Sequence, residues 1–196
     1  AVESVIAARR ELGRFTSLYQ FAEKVDLTAL NRRMIESLIK AGAMDSLARA
    51  RSQLFAAIDP ALEHGQRVWK DRLTGQTGLF AAMAEETEIP DQPLADVPDW
   101  TSQEKLTREK EVLGFYVTGH PLDQYLEKVK ELRSHDSSML EGLTKGAEVA
   151  LCGILTGIQS KRNRDGKPWA AMQLEDLTGA FELMVFTTQY ERLLDQ

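Results

Sequence analysis

The sequence predicts a multidomain chain: an all-α module, then a linker, a short helical segment and a truncated β-barrel. Three observations carry this reading. Apolar residues recur at helical spacing as far as residue 72. Pro90, Pro93 and Pro98 then interrupt the pattern within an acidic stretch. From Glu148 onward the apolar period changes to two, as in β-strands. The predicted boundaries are 1–74 for the helical module, 75–100 for the linker, 101–135 for a helical connector and 146–196 for the barrel.

The elements follow in order. Residues 1–12 read as a helix with Val2, Val5 and Ile6 on one face and Gly13 as its stop. A second helix covers 15–25, with Phe15, Leu18, Tyr19, Ala22 and Val25 on one side. Residues 28–40 carry the apolar stripe Leu30, Met34, Ile35, Leu38 and Ile39. Asp26 or Thr28 can cap its start, and Gly42 suits a left-handed residue past its end. After the turn 41–45 comes a helix with Leu47, Leu54, Phe55 and Ile58 on one face. Asp59-Pro60 reads as cap and first residue of a helix over 60–72. Thr101 and Glu104 have capping-box spacing for a helix that ends near Gly114. Pro121 opens a helix to about Arg133. Residues 148–159, apolar on both faces, read as a buried barrel strand. Strands at 168–175 and 180–187 follow, and residues 189–195 read as the start of a helix.

Composition narrows the function classes. Hydrophobic content of 43% and charged content of 28% are those of a soluble globular protein. A net charge of -6 argues against nucleic-acid binding through global charge. The charge is uneven, however. Residues 1–58 hold nine Lys/Arg and six Asp/Glu, a net of +3, and residues 80–112 hold three and nine, a net of -6. The single cysteine, Cys152, permits no intrachain disulfide, which fits a reducing cytoplasm. Apolar runs fall far short of the roughly 20 residues that span a membrane. The helical pattern is already under way at Ala1, so the chain reads as a piece of a longer protein.

Two patterns point to nucleic acid. Leu38 to Met44 places an apolar-Gly-apolar turn between amphipathic helices, a helix–hairpin–helix arrangement. Backbone N–H groups at Gly42 and Ala43 can face a phosphate there, with Lys40, Arg49 and Arg51 adding charge. The same pattern fits an ordinary helical hairpin with a glycine cap. In the C-terminal part, a long strand, a basic loop and an aromatic at the next strand's entry fit an OB-fold. Lys161, Arg162, Arg164 and Lys167 supply positive charge, and Trp169 can stack on a base. The loop equally fits a solvated hairpin tip, with Trp169 in the core. For catalysis there is little. His64, His120 and His135 lack ligand spacing, and no carboxylate trio is placed to hold Mg²⁺.

The stretch Glu109-Lys110-Glu111-Val112-Leu113-Gly114-Phe115-Tyr116-Val117-Thr118-Gly119-His120-Pro121-Leu122 resembles a signature of the C-family replicative DNA polymerases of bacteria, the DNA polymerase III alpha subunits. Leu30 to Asp45 resembles that family's helix–hairpin–helix region, and Leu174 to Phe186 its OB domain. The resemblance covers nearly the whole chain. It implies a C-terminal portion of a DNA-directed DNA polymerase whose Mg²⁺-binding palm lies outside this sequence, so that this chain has no catalytic residues and needs no cofactor itself. It implies DNA as a partner, duplex through the helical module and single-stranded template through the barrel. It implies no membrane.

The family also carries an internal sliding-clamp motif, Gln-x-x-apolar-Phe, between these modules, and Gln76-Thr77-Gly78-Leu79-Phe80 matches it. Leu79 and Phe80 would fill an apolar pocket on the clamp, with Gln76 at its rim. Burial of two such side chains is worth roughly 3–6 kcal/mol gross, less the cost of ordering the peptide. Gly78 departs from the polar or acidic residue usual there. The alternative is that Leu79 and Phe80 pack on the chain's own helices. Other replicase subunits, the clamp loader and the proofreading exonuclease, would meet parts outside this sequence. The family's fold also implies that the barrel is incomplete: five strands are needed, and three are read. In the Gly114–Leu122 stretch, His120 is expected to cap the helix after Pro121. Two alternatives stay open: an error-prone relative active in translesion synthesis, and a protein-interaction module without DNA grip.

Overall fold

The computed structural model describes residues 2–28, 30–48, 50–73 and 93–194. The chain divides into two units, Ala1–Thr118 and Gly119–Gln196.

In the first unit, α1 (Val2–Leu12) stops at Gly13, whose φ of 81° is the left-handed value that favours glycine. Ser17 caps α2 (Leu18–Lys24) by accepting the Gln20 N–H at 3.1 Å. The cap of α3 (Arg32–Lys40) is Asn31, which accepts from the Met34 N–H, and not Asp26 or Thr28 as the sequence suggested. Asp26 instead accepts the Thr28 N–H at 2.8 Å and closes a turn ahead of the helix. Beyond α3 the expected helix is broken. A 3₁₀ turn at Asp45–Leu47 is followed by extended backbone at Ala48 and Ala50, and only then by α4 (Arg51–Ala56).

Helix α5 (Ile58–Leu73) begins two residues before Pro60. A proline is tolerated in this first turn because the N–H it lacks has no intrahelical acceptor. Helix α5 passes close to α2: a Cβ on Gly65 would lie 2.5 Å from the Ala22 carbonyl oxygen. The buried core includes Leu18, Phe21, Val25, Ile35, Ile39, Leu54 and Ile58. Leu94 and Trp100, in the segment before α6 (Ser102–Leu113), pack against that core. The Trp100 ring meets Phe55 edge-on at 5.6 Å, and the Arg108 guanidinium lies 3.9 Å from its centroid. Thr101 and Glu104 form the full capping box, and Gly114 ends α6 with φ 82°.

The second unit is a small α/β assembly. A 3₁₀ turn (Asp123–Tyr125) precedes α7 (Leu126–Leu132), so the helix starts five residues after Pro121. His120 caps neither the 3₁₀ turn, whose N-cap is Leu122, nor α7, whose N-cap is Tyr125. Its Nδ1 accepts the Leu122 N–H at 3.1 Å, while its own N–H donates to Asp123 Oδ2 at 2.6 Å. After a 3₁₀ segment (Ser137–Gly142) come β1 (Ile154–Arg162), β2 (Pro168–Glu175), β3 (Ala180–Val185) and α8 (Thr187–Leu194). The strands form an antiparallel sheet in the order β1-β2-β3.

The first strand runs later than the sequence suggested, to Arg162. Ala150, which was expected within it, bonds instead to Ser134: the Ser134 N–H donates to its carbonyl and its N–H donates to Ser134 Oγ, both at 2.9 Å. Nor is β1 buried on both faces, since Leu155 and Ile158 are each about half-exposed. The core of this unit is small: Ala170, Val185 and Tyr190, with Met172 packed against them. The Tyr190 hydroxyl lies 2.6 Å from Ser160 Oγ and ties α8 to β1. Asp176 anchors the β2–β3 turn. Its carboxylate accepts from the Ser137 N–H and Oγ–H and from the Thr178 and Gly179 N–H groups. Burial pushes this carboxyl up, but those bonds outweigh it and hold the pKa at about 2.

Candidate nucleic-acid interface

The helical hairpin was the first candidate. Its turn is built as a helix C-cap. Gly42, at φ 78°, donates its N–H to Ile39 O, and Ala43 donates to Leu38 O, both at 3.0 Å. These bonds satisfy the last carbonyls of α3, as a Schellman-type ending does. The two N–H groups expected to face a phosphate are thus taken up within the helix.

Arg51 and Lys40 are taken up too. Arg51 is only 5% exposed. Its Nε and Nη2 each bond Asp45 at 2.8 Å, and Nη1 bonds Glu109 at 2.8 Å and Lys40 O at 3.3 Å. A Cβ on Gly42 would lie 2.3 Å from Arg51 Nη2, so the turn closes directly over the guanidinium. The bonds from Asp45, followed by those from Glu109, hold the Arg51 pKa above its usual value. Arg51 is therefore the buried strut of the hairpin, which corrects the expectation that it meets a phosphate. Lys40 pairs with Glu111 on α6 at 2.9 Å. Arg49 lies outside the described residues.

Glu109 completes this arrangement, and reading the sequence did not single it out. It is 0% exposed. One oxygen accepts from Arg51, and the other from the N–H groups of Val117 (2.8 Å) and Thr118 (3.0 Å). Burial pushes its carboxyl up, but the Thr118 N–H, Arg51 and the Val117 N–H together hold it below the usual carboxylate range. The available signal was a glutamate three residues after Leu106, on the helix face that Leu106 buries. It gives the Glu109–Leu122 stretch a structural role: the stretch begins with the acid that neutralises Arg51 and folds the chain after Gly114 back onto α6.

The strand hairpin differs. Strand pairing sets Lys161 directly opposite Trp169, and its ammonium lies 5.3 Å from the ring centroid. Trp169 is half-buried, and Lys161, Arg162, Arg164 and Lys167 are all exposed. Among the described residues none of these four cations forms an ion pair. The loop is pre-shaped. Asn163 Oδ1 accepts from the Asp165 and Lys167 N–H groups, both at 2.9 Å. Gly166 takes φ 77°, and Arg162 Nη1 bonds its carbonyl at 2.8 Å. A rigid turn thus presents four cations beside one aromatic ring. That chemistry can hold a phosphate backbone and stack a base. Gln76, Leu79 and Phe80 lie outside the described residues.

Comparisons with known proteins agree in one direction. Residues 1–54 match the helix-hairpin-helix motif family. The chain is 37% identical over 194 residues to a Mycobacterium tuberculosis protein named DNA polymerase III subunit alpha, covering 96% of this chain and 16% of that protein. It is 38% identical over 195 residues to the subunit of that name from Neisseria meningitidis serogroup B, covering 100% of this chain and 16% of the relative. The counterpart from Escherichia coli K12 is 32% identical over 202 residues, covering 100% of this chain and 17% of the relative.

Proposed function

We propose a function from one premise: the chain belongs to the family of bacterial DNA polymerase III alpha subunits, and it spans only about 16% of the length of the curated relatives it matches. It is part of a DNA-directed DNA polymerase, and its own task is to hold nucleic acid and the replication machinery, not to carry out chemistry. The parent enzyme uses Mg²⁺ held by carboxylates. Those carboxylates would belong to the palm, outside this sequence.

The strand hairpin binds single-stranded template. The observation that carries this reading is the exposed cluster Lys161, Arg162, Arg164 and Lys167 beside Trp169. Cations on a rigid loop release counterions from phosphates, and an adjacent indole face accepts any base. The helical module contributes to duplex contact. Its helix-hairpin-helix match supports this, and Arg49 is the named cation left for it. Gln76, Leu79 and Phe80 tether the sliding clamp, a role supported by family membership and by the Gln-x-x-apolar-Phe spacing. Clamp loader and proofreading exonuclease would contact other parts of the parent. On this reading the protein works in the cytoplasm, and among the described residues no helix is long and apolar enough to cross a membrane.

The test is fluorescence anisotropy of a labelled single-stranded oligonucleotide with the chain at two salt concentrations. Binding that weakens as salt rises supports the reading. Absence of binding, or binding without a salt slope, overturns it in favour of a protein-interaction module. The clamp role is tested separately, by titrating Leu79→Ala/Phe80→Ala on immobilised clamp; affinity equal to wild type rejects it.

A further inference from the structure

Helices α2 and α5 enclose a polar pair that nucleic-acid binding leaves unused. Their close approach at Gly65 buries the side chains beside it, and those of Glu23 and His64 are 8% and 11% exposed. His64 Nε2 lies 2.6 Å from Glu23 Oε1, and Arg67 Nη2 lies 3.2 Å from His64 Nδ1. The Tyr19 ring meets the imidazole edge-on at 5.8 Å. These contacts fix the hydrogen on the ring. A guanidinium has donors and no acceptor, so Nδ1 must accept from Arg67. Nε2 then carries the hydrogen and donates it to the Glu23 carboxylate. The ring is the neutral Nε2–H tautomer.

We infer that His64 is a proton-operated switch for Arg67: the neutral ring holds the guanidinium against α5, and the protonated ring releases it into solvent. A proton on Nδ1 turns two donors toward each other across the 3.2 Å contact, so one side chain must move. His64 is the fixed partner, because it is enclosed and its bond to Glu23 becomes charge-assisted. Arg67 is the movable one. It is exposed, and among the described residues it has no other hydrogen bond and no ion pair. The other charges near this contact are few. Helix α2 adds the exposed Lys24. Helix α3 reaches α5 through the Arg32–Asp59 pair, at the start of α5. The one charge on α4, Arg51, is bound to Asp45 and Glu109. On α5 itself Glu63 precedes His64, Lys70 and Asp71 lie about one turn beyond Arg67, and Arg72 Nη1 donates to the Glu23 carbonyl at 3.3 Å. Release of Arg67 adds one free cation to the surface of the helical unit. An anion that captures it favours the proton on His64 in return.

The full 196-residue chain, isotope-labelled, is followed by NMR from about pH 8 to about pH 5, the range over which imidazoles change charge. At the upper end His64 is expected to show the Nε2–H tautomer. As its ring takes up a proton, the Arg67 Nε signal is expected to shift with the same midpoint and to sharpen as the side chain is freed. In His64→Gln, whose amide donates to Glu23 and accepts from Arg67 without titrating, that step is lost. Any other ring state at the upper end overturns the inference. So does an Arg67 signal that does not follow the ring, or a ring that stays neutral throughout in folded protein. The same Arg67 step retained in His64→Gln also overturns it, because a neighbouring acid is then the titrating group. The wild-type readings stand by themselves if His64→Gln does not fold.

Discussion

Arg51, beside the α3 turn, and Lys161, beside the β1–β2 turn, are both cations next to a tight turn, yet their surroundings are opposite. Arg51 is enclosed by Asp45, Glu109 and the Lys40 carbonyl, and the glycine of its own turn closes over it. Lys161 stands in solvent over the Trp169 ring, with Arg164 and Lys167 exposed nearby. The difference is set by where the carboxylates fold. Glu109 is 58 residues from Arg51 in sequence and arrives only when α6 packs on the hairpin. A cation beside a glycine turn is therefore not a phosphate ligand by pattern alone. Its net field depends on acids that tertiary structure brings to it.

The sharpest way to break the comparison is to remove one side of the enclosed pair. Glu109→Gln leaves the Arg51 charge buried and only partly compensated, at a cost of roughly 3–5 kcal/mol. Chemical denaturation should show the helical unit losing that stability, while single-strand binding by folded protein keeps its salt slope. A variant as stable as wild type would mean that Arg51 is not held as a strut.

A smaller effect is expected in the sheet unit. The Asp176 pKa is depressed from an ordinary 3.8 to about 2, so the group adds stability above pH 4 that is lost as pH falls from about 4 toward 2. Asp176→Asn should cost on the order of 2 kcal/mol at neutral pH. It should also flatten the acid limb of unfolding measured between pH 5 and 2. An unchanged acid limb would show that the anchor lies elsewhere.

The smallest stability effect belongs to the exposed cations. Lys161→Ala/Arg164→Ala should change the unfolding free energy by less than about 0.5 kcal/mol, as surface substitutions do. It should nevertheless lower the salt slope of single-strand binding by about 1.4, at roughly 0.7 per phosphate contact. A large loss of stability would place these side chains in the fold and not on its surface.

Much of this architecture was legible in the sequence because it rests on local signals. The capping box at Thr101 and Glu104, the left-handed glycines at 13, 42 and 114, and the period-two strands, read at 168–175 and 180–187 and found at 168–175 and 180–185, each depend on a few neighbouring residues. Two features were not legible. The helix expected from Leu47 breaks at Ala48 and Ala50, where composition gives no warning. Glu109 reads as one more surface acid on α6 unless the position of Arg51 is known. The exposed cation cluster of the strand hairpin was legible for the opposite reason: its cations are neighbours in sequence, and among the described residues no distant acid pairs with them.

The comparison is tested most directly by the salt dependence of single-strand binding in two variants of the same chain. One carries Lys161→Ala, Arg162→Ala, Arg164→Ala and Lys167→Ala; the other carries Lys40→Ala and Arg51→Met. The strand-hairpin variant should lose nearly all salt-dependent affinity, and the helical-hairpin variant should retain it wherever it stays folded. A helical-hairpin variant that loses the slope while the strand-hairpin variant keeps it would contradict the assignment.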